Sequence, residues 1–289
     1  MDLYPTLARR IGRLLGAAPL RFDRIEGGCT PALRLRAHLP DGSTAFVKAA
    51  TDADTATWLR HEHRVYGHVE APFLPRLRGF DPAELPVLAI EDLSDAHWPP
   101  PWTAEHVDDV LRALDEMAAS TPPSGLPPME QKREMLCGWR RVAADPRPFL
   151  SLGVASHAWL ERALPPLLEA DEQLVLGGDA LCHFDTRSDN LCLRDRQAVL
   201  VDWNWACVGN PRLDRAFFLP SLHADGGPAP DVVLPDAADV APTVAGYFAS
   251  TAGQPPLPTA PRVRPLQLLQ LRHALPWAAR VLGLPPPST

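Results

Sequence analysis

Four side chains in one short stretch set the chemistry this chain can attempt: His183, Asp185, Asn190 and, twelve positions further on, Asp202. A carboxylate held near a hydroxyl can accept its proton. An amide oxygen and a second carboxylate are oxygen donors that suit magnesium, which takes one or two carboxylates plus substrate phosphates. Moving a phosphoryl group asks for little more, because the work is orienting a hydroxyl and neutralising phosphate charge. The spacing has a mechanical reason. Leu191 to Leu193 is an apolar run, Arg194 to Gln197 a polar turn and Ala198 to Val201 a second apolar run, the pattern of a β-hairpin. A hairpin returns to its starting edge, so Asp185 and Asn190 at its entrance and Asp202 at its exit, seventeen positions from Asp185, converge. His, Asp and Asn are also ordinary turn residues. Asp202 on a strand, and Asp214 after the Gly209-Asn-Pro turn, separate this stretch from a plain loop.

In its His-x-Asp-x-x-x-x-Asn loop followed by a strand carrying Asp, the chain resembles the aminoglycoside phosphotransferase and choline kinase branch of the protein-kinase-like superfamily. The resemblance implies an α+β, bilobal protein-kinase-like fold with a small β-rich N-lobe and a larger, mainly helical C-lobe. It implies Asp185 as catalytic base, with His183 bracing the catalytic loop, Asn190 and Asp202 as magnesium ligands, and Asp214 as structural anchor of the loop. Arg187, two residues after the base, would touch the transferred phosphate; the alternative is a surface residue paired with Asp189 or Asp195. The commonest aminoglycoside form carries Gly where this chain has Phe184, and often His-Pro where it has Arg187-Ser188, which bears on the substrate.

Such a machine needs an upstream lysine held by a glutamate. Leu33 to Leu39 alternates as a half-buried strand, Pro40 to Ser43 is a turn, and Thr44 to Lys48 returns, so Lys48 sits on the second arm of a hairpin. From Asp54 to about Val69 apolar residues recur at helical spacing, and Glu62 on that helix is the partner the resemblance implies for Lys48. Taken alone, each reads equally as a surface residue. Gly27 and Gly28 could bring backbone close to nucleotide phosphates or simply turn the chain. The buried run Val87 to Leu93 resembles a kinase hinge, with Glu91 and Leu93 offering main-chain groups to adenine.

The 289 residues suffice for two lobes, read as a nucleotide-binding lobe over 1–92 and a catalytic, substrate-binding helical lobe over 93–289. A net charge of -7 argues against a nucleic-acid partner. The five scattered cysteines show neither a disulfide framework nor zinc spacing, and Met1 to Leu15 lacks a secretory apolar run, so a cytoplasmic protein with reduced thiols is expected. The apolar stretch Leu266 to Leu284 is interrupted by Arg272, His273, Pro276 and Arg280, and reads as a packed amphipathic helix with no membrane role. The 34 prolines punctuate loops between helices expected at 103–119, 130–143, 157–170 and 266–275. Specificity is expected in loops at 96–98, 203–205 and 217–227, with Trp203 and Phe217 either substrate contacts or core, and Asp225 a loop residue. The leading reading is an ATP- and magnesium-dependent O-phosphotransferase, aminoglycoside phosphotransferase-like, using ATP or GTP to phosphorylate a small-molecule hydroxyl and needing no obligate protein partner. The alternatives are a kinase for a choline-like, amino-alcohol or sugar metabolite, a pseudokinase, and a hydrolase built on His183 and Asp185.

Overall fold

A computed structural model describes residues 5–28 and 30–287. Helix α1 (Pro5–Leu15) precedes strands β1 (Arg21–Arg24), β2 (Leu33–His38) and β3 (Thr44–Ala49), helix α2 (Ala53–Tyr66), and strands β4 (Leu77–Asp81) and β5 (Val87–Glu91). The five strands form one antiparallel sheet in the order β1-β2-β3-β5-β4. Its period-two alternation decides where Lys48 goes. Leu35, Ala37, Val47, Ala49, Val87 and Ala89 pack on Ile11 of α1, and the opposite face carries Lys48 between its register partners Arg34 and Leu88. Helix α2 covers that second face. It starts at a capping box in which Asp52 accepts from the Thr55 N–H and the Thr55 hydroxyl accepts from the Asp52 N–H. Leu59, Glu62 and Tyr66 then fall on one buried stripe, so the helix that packs its leucine must also bury its glutamate.

The remainder is mainly helical: α3 (Ala104–Ala119), α4 (Arg133–Leu136), α5 (Gly138–Ala144), α6 (Arg147–Leu150) and α7 (His157–Gln173) come first. The short strands β6 (Ala180–Cys182), β7 (Leu191–Arg194), β8 (Gln197–Leu200) and β9 (Cys207–Gly209) follow, then α8 (Pro211–Ala224), α9 (Pro230–Val233), α10 (Ala241–Thr251) and α11 (Val263–Val281). Strands β7 and β8 form the expected hairpin, turned at Asp195 and Arg196, whose φ values of 51° and 62° match the twist that tight hairpins require. Trp139, Trp159, Trp203 and Trp277 are fully buried in one continuous core. The N-terminal antiparallel sheet and helical C-terminal part make the bilobal, kinase-like α+β fold that the sequence implied.

Several local expectations need correction. The single helix expected at 130–143 is broken at Cys137, because α5 must lie against α10: a Cβ at Gly138 would stand 1.9 Å from the Gly246 carbonyl oxygen. Its restarted N-terminus is capped from afar, the Asp171 carboxylate accepting from the Trp139 and Arg140 N–H groups at 2.9 and 3.2 Å. The 217–227 segment, read as a loop, is helical through Ala224, after an Asn210 cap and Pro211 at the first turn. The prolines do more than punctuate loops: Pro165 and Pro166 lie inside α7, Pro220 inside α8 and Pro276 inside α11. Burial of Leu160, Ala163 and Leu167 keeps α7 continuous despite the roughly 3 kcal/mol that an interior proline costs. Cys137, Cys182, Cys192 and Cys207 are buried free thiols, while Cys29 lies outside the described residues. Among the described residues no helix is long and apolar enough to cross a membrane.

Candidate active site

Lys48 reaches from β3 to two carboxylates at once. Its Nζ donates to the Glu62 oxygens at 2.8 and 3.0 Å and to Asp202 Oδ1 at 2.9 Å, with the lysine side chain only 8% exposed. Burial disfavours the ammonium, but the Asp202 and Glu62 charges overcome it and raise the Lys48 pKa. Burial pushes Glu62 up to about 7 against the pull of Lys48; burial also acts upward on Asp202, but the charge and hydrogen bond of Lys48 together with the Arg34 and Arg187 charges outweigh it and keep the carboxyl below its ordinary value. One cation thus serves a buried acid and a half-buried one. The second Asp202 oxygen and the Asn190 amide oxygen accept no hydrogen bond from the described residues. These are two free oxygen donors beside an excess of negative charge, a donor set that fits magnesium.

The loop between β6 and β7 is fixed from behind. Asp214 accepts from the His183 and Phe184 N–H groups, both at 2.8 Å. His183 Nδ1 accepts from the Asp185 N–H at 3.2 Å while Nε2 donates to the Val201 carbonyl at 2.9 Å, and its ring meets Trp203 edge-on at 4.6 Å. Both ring nitrogens are therefore engaged, and burial holds the imidazole neutral with a pKa near 4. In front, the Asn190 amide donates to the Asp185 carbonyl at 2.8 Å and to Asp185 Oδ2 at 2.9 Å. Arg187 bonds Asp185 Oδ1 and forks onto Asp189 at 2.9 and 3.1 Å, and Asp195 takes no part. Burial pushes Asp185 up to about 6, against the opposing Arg187 charge.

Lys48, Glu62, Asp185, Arg187, Asn190 and Asp202 all line one cleft of about 1140 Å³ between the sheet and the helices. The model of the phosphotransferase enzyme family matches residues 21–249, most of the chain. The chain belongs to that family. It is similar in fold to an aminoglycoside phosphotransferase from Alicyclobacillus acidocaldarius, with 14% identity, 98% of this chain and 95% of that one covered, and a TM-score of 0.61. A choline/ethanolamine kinase family protein from Mesorhizobium loti gives 16% identity, coverage of 95% and 97%, and a TM-score of 0.61. Spectinomycin phosphotransferase, solved with ADP and spectinomycin, gives 14%, coverage of 98% and 88%, and 0.51. No curated protein sequence matches significantly.

The remaining expected residues of this phosphotransferase divide by position. Gly27 and Gly28 line the cleft with φ of 116° and 75°, and a Cβ on Gly28 would strike the Arg34 guanidinium at 2.5 Å. Glu91 and Leu93 also line it, but the Glu91 carboxylate is held by Arg194 at 2.7 Å and its N–H donates to the Arg76 carbonyl at 2.8 Å. The Leu93 carbonyl accepts from Ala96 N–H and Trp98 Nε1, while its N–H has no partner among the described residues. His183 and Asp214 stay behind the cleft wall. Among the described residues no three His, Cys, Asp or Glu side chains gather as a metal cage.

Sequence reasoning missed several groups of the phosphotransferase. Arg34 staples the glycine turn, donating to Thr30 O, Ala32 O and Thr30 Oγ1 at 3.0, 3.1 and 2.7 Å, and its charge reaches Glu62 and Asp202. The strand register opposite Lys48 could have revealed it. Asp225, read as a loop residue, caps α8 and accepts from the Ser188 hydroxyl of the catalytic loop. Trp203 is core, whereas Phe217 both packs on Phe184, with ring centroids 5.1 Å apart, and lines the cleft. The walls contributed by α10 and α11 carry no motif.

Proposed function

We propose that this phosphotransferase moves the γ-phosphate of ATP to a hydroxyl group of a small molecule, with Asp185 as the base. The observation that carries this reading is the union of Lys48, Glu62 and Asp202 in one cleft with the Asp185–Asn190 pair. Lys48, fixed by Glu62, would orient the nucleotide phosphates, and the glycine turn stapled by Arg34 would close over them. Asn190 and the free oxygen of Asp202 would hold magnesium, which when bound supplies neutralisation of phosphate charge. Asp185 would accept the hydroxyl proton on Oδ1 once Arg187 releases it, the carboxylate oriented by the Asn190 amide on Oδ2. Arg187 bonds the Asp185 carboxylate, so it would pass to the transferred phosphate only by leaving that acid. The free Leu93 N–H is the hinge group available to a purine edge, a reading equally open to GTP. His183 would position the loop and stay outside proton transfer, since both nitrogens are bonded.

The test is nucleotide consumption with a panel of alcohols, sugars, amino alcohols and aminoglycosides, with wild type beside Asp185→Asn. A positioned base contributes about 10² to 10⁴ in rate. Asp185→Asn is expected to lose turnover on that scale while magnesium–ATP still raises its melting temperature. Undiminished turnover removes Asp185 from the mechanism, and a wild type that binds magnesium–ATP without turning over any acceptor is a pseudokinase.

A further inference from the structure

Beyond the catalytic loop the cleft continues between α8, α10 and α11, and its polar groups there are arranged for a particular kind of acceptor. Arg264 on α11 has no carboxylate within ion-pair distance among the described residues. Its Nη1 donates to Gln267 Oε1 at 2.9 Å and its Nε to the Pro255 carbonyl at 3.3 Å. Gln267, 7% exposed, turns its Nε2 to the Tyr247 hydroxyl at 3.4 Å. Burial first, and then the Asp185 charge, push the Tyr247 phenol up, so this relay ends within electrostatic reach of the candidate base. One turn on, Gln270 is 5% exposed, lines the cleft, and makes no side-chain hydrogen bond among the described residues. The Gln270 amide and the Arg264 guanidinium thus keep hydrogen-bonding capacity and an unanswered positive charge open to a ligand in the cleft.

The acids of this region are already engaged. Asp185 and Asp189 share Arg187, and Asp225 takes the Ser188 hydroxyl. Between these polar groups the wall is apolar, built from Phe184, Phe217, Phe248, Leu257 and Val263. A polycation would meet an arginine without a counter-charge among carboxylates that already accept hydrogen bonds from the protein, whereas a carboxylate would give Arg264 the charge-assisted partner it lacks and accept from the Gln270 amide.

Resting on the phosphotransferase reading of the same cleft, we infer that the acceptor is an alcohol with an apolar body and a carboxylate, the carboxylate seated at Arg264 and Gln270 and the hydroxyl at Asp185. Polycationic acceptors are disfavoured by the same groups. Arg264 is then a specificity residue of the site.

Two rigid hydroxy acids of different length, 4-(hydroxymethyl)benzoate and 4′-(hydroxymethyl)biphenyl-4-carboxylate, test this against their methyl esters, the matching benzylic amine and kanamycin. Binding is read by calorimetry without nucleotide, and phosphorylation with magnesium–ATP. One acid is expected to bind at least about tenfold tighter than its ester, the scale of a hydrogen bond to a charged group. Arg264→Met, which keeps the packing volume, is expected to abolish that acid-over-ester ratio, and Arg264→Lys to retain part of it. Equal binding of acid and ester, preference for the amine or kanamycin, binding of none of the probes, or an unchanged ratio in Arg264→Met overturns the inference. An acid that binds through Arg264 and is never phosphorylated leaves the anion subsite standing and counts against the phosphotransferase reading. Phosphorylation that favours kanamycin does the reverse.

Discussion

The two ends of the cleft are built on opposite electrostatic plans. At the sheet end charged groups are paired with opposite charges from within the protein: Lys48 joins Glu62 and Asp202, and Glu91 holds Arg194. At the helical end Arg264 and Gln270 are left without such partners beside an aromatic wall. On the proposed reading the sheet end presents the same phosphates in every turnover, and fixed internal pairing would serve it, because preorganised groups need no rearrangement at the moment of reaction. An end that must choose among acceptors leaves its polar groups open, and an unpartnered group rejects any ligand that cannot complete it.

Breaking the paired end is expected to have the largest effect. Lys48→Ala leaves Glu62 buried and Asp202 half-buried without their cation, and loss of one partner from a buried ion pair such as Lys48–Glu62 costs about 3–5 kcal/mol. Urea unfolding is expected to show a loss on that scale, partly restored by adding Glu62→Leu. A double variant no more stable than the single one would mean that Glu62 does not depend on Lys48.

A smaller effect is expected where the two ends meet. Phe184 holds a left-handed φ of 62°, where glycine would relieve roughly 1–2 kcal/mol of strain. Its ring is 8% exposed and packs on Phe217, and losing a buried phenylalanine costs about 3–5 kcal/mol. Packing outweighs strain. Phe184→Gly is therefore expected to destabilise by about 2 kcal/mol, and a more stable variant in thermal melts would reverse that ranking.

The smallest effect is expected on acidification. Burial raises Asp185 from 3.8 to about 6, so this acid keeps its proton to a higher pH than usual, and the proton must be absent for it to act as a base. The logarithm of kcat/KM is expected to fall with unit slope below about pH 6, tenfold at pH 5, and to be level just above neutrality. A profile flat down to pH 4 would place the base elsewhere.

Legibility followed the same division. The sheet end was readable because its residues obey short-range rules: alternation put Lys48 on one strand face, helical period put Glu62 beside Leu59, and the β7–β8 hairpin set the separation of Asn190 and Asp202. The helical end was readable only in part: the helix expected at 266–275 lies within α11, but α10 begins after a proline-rich stretch and the segment from 217 that reads as loop belongs to α8. Arg187 shows the boundary well: sequence left it between phosphate and surface, and the fold paired it with Asp185 and Asp189.

By itself the sequence determined the identity and local spacing of the charged groups, because strand, turn and helix periods act over a few residues. Only the tertiary structure decided which of those groups are neutralised and which are left open. Asp214 reaches back to His183, Asp171 caps α5, and Tyr247, bonded by Gln267, comes within electrostatic reach of Asp185 through packing between segments far apart in the chain, contacts that no local period encodes.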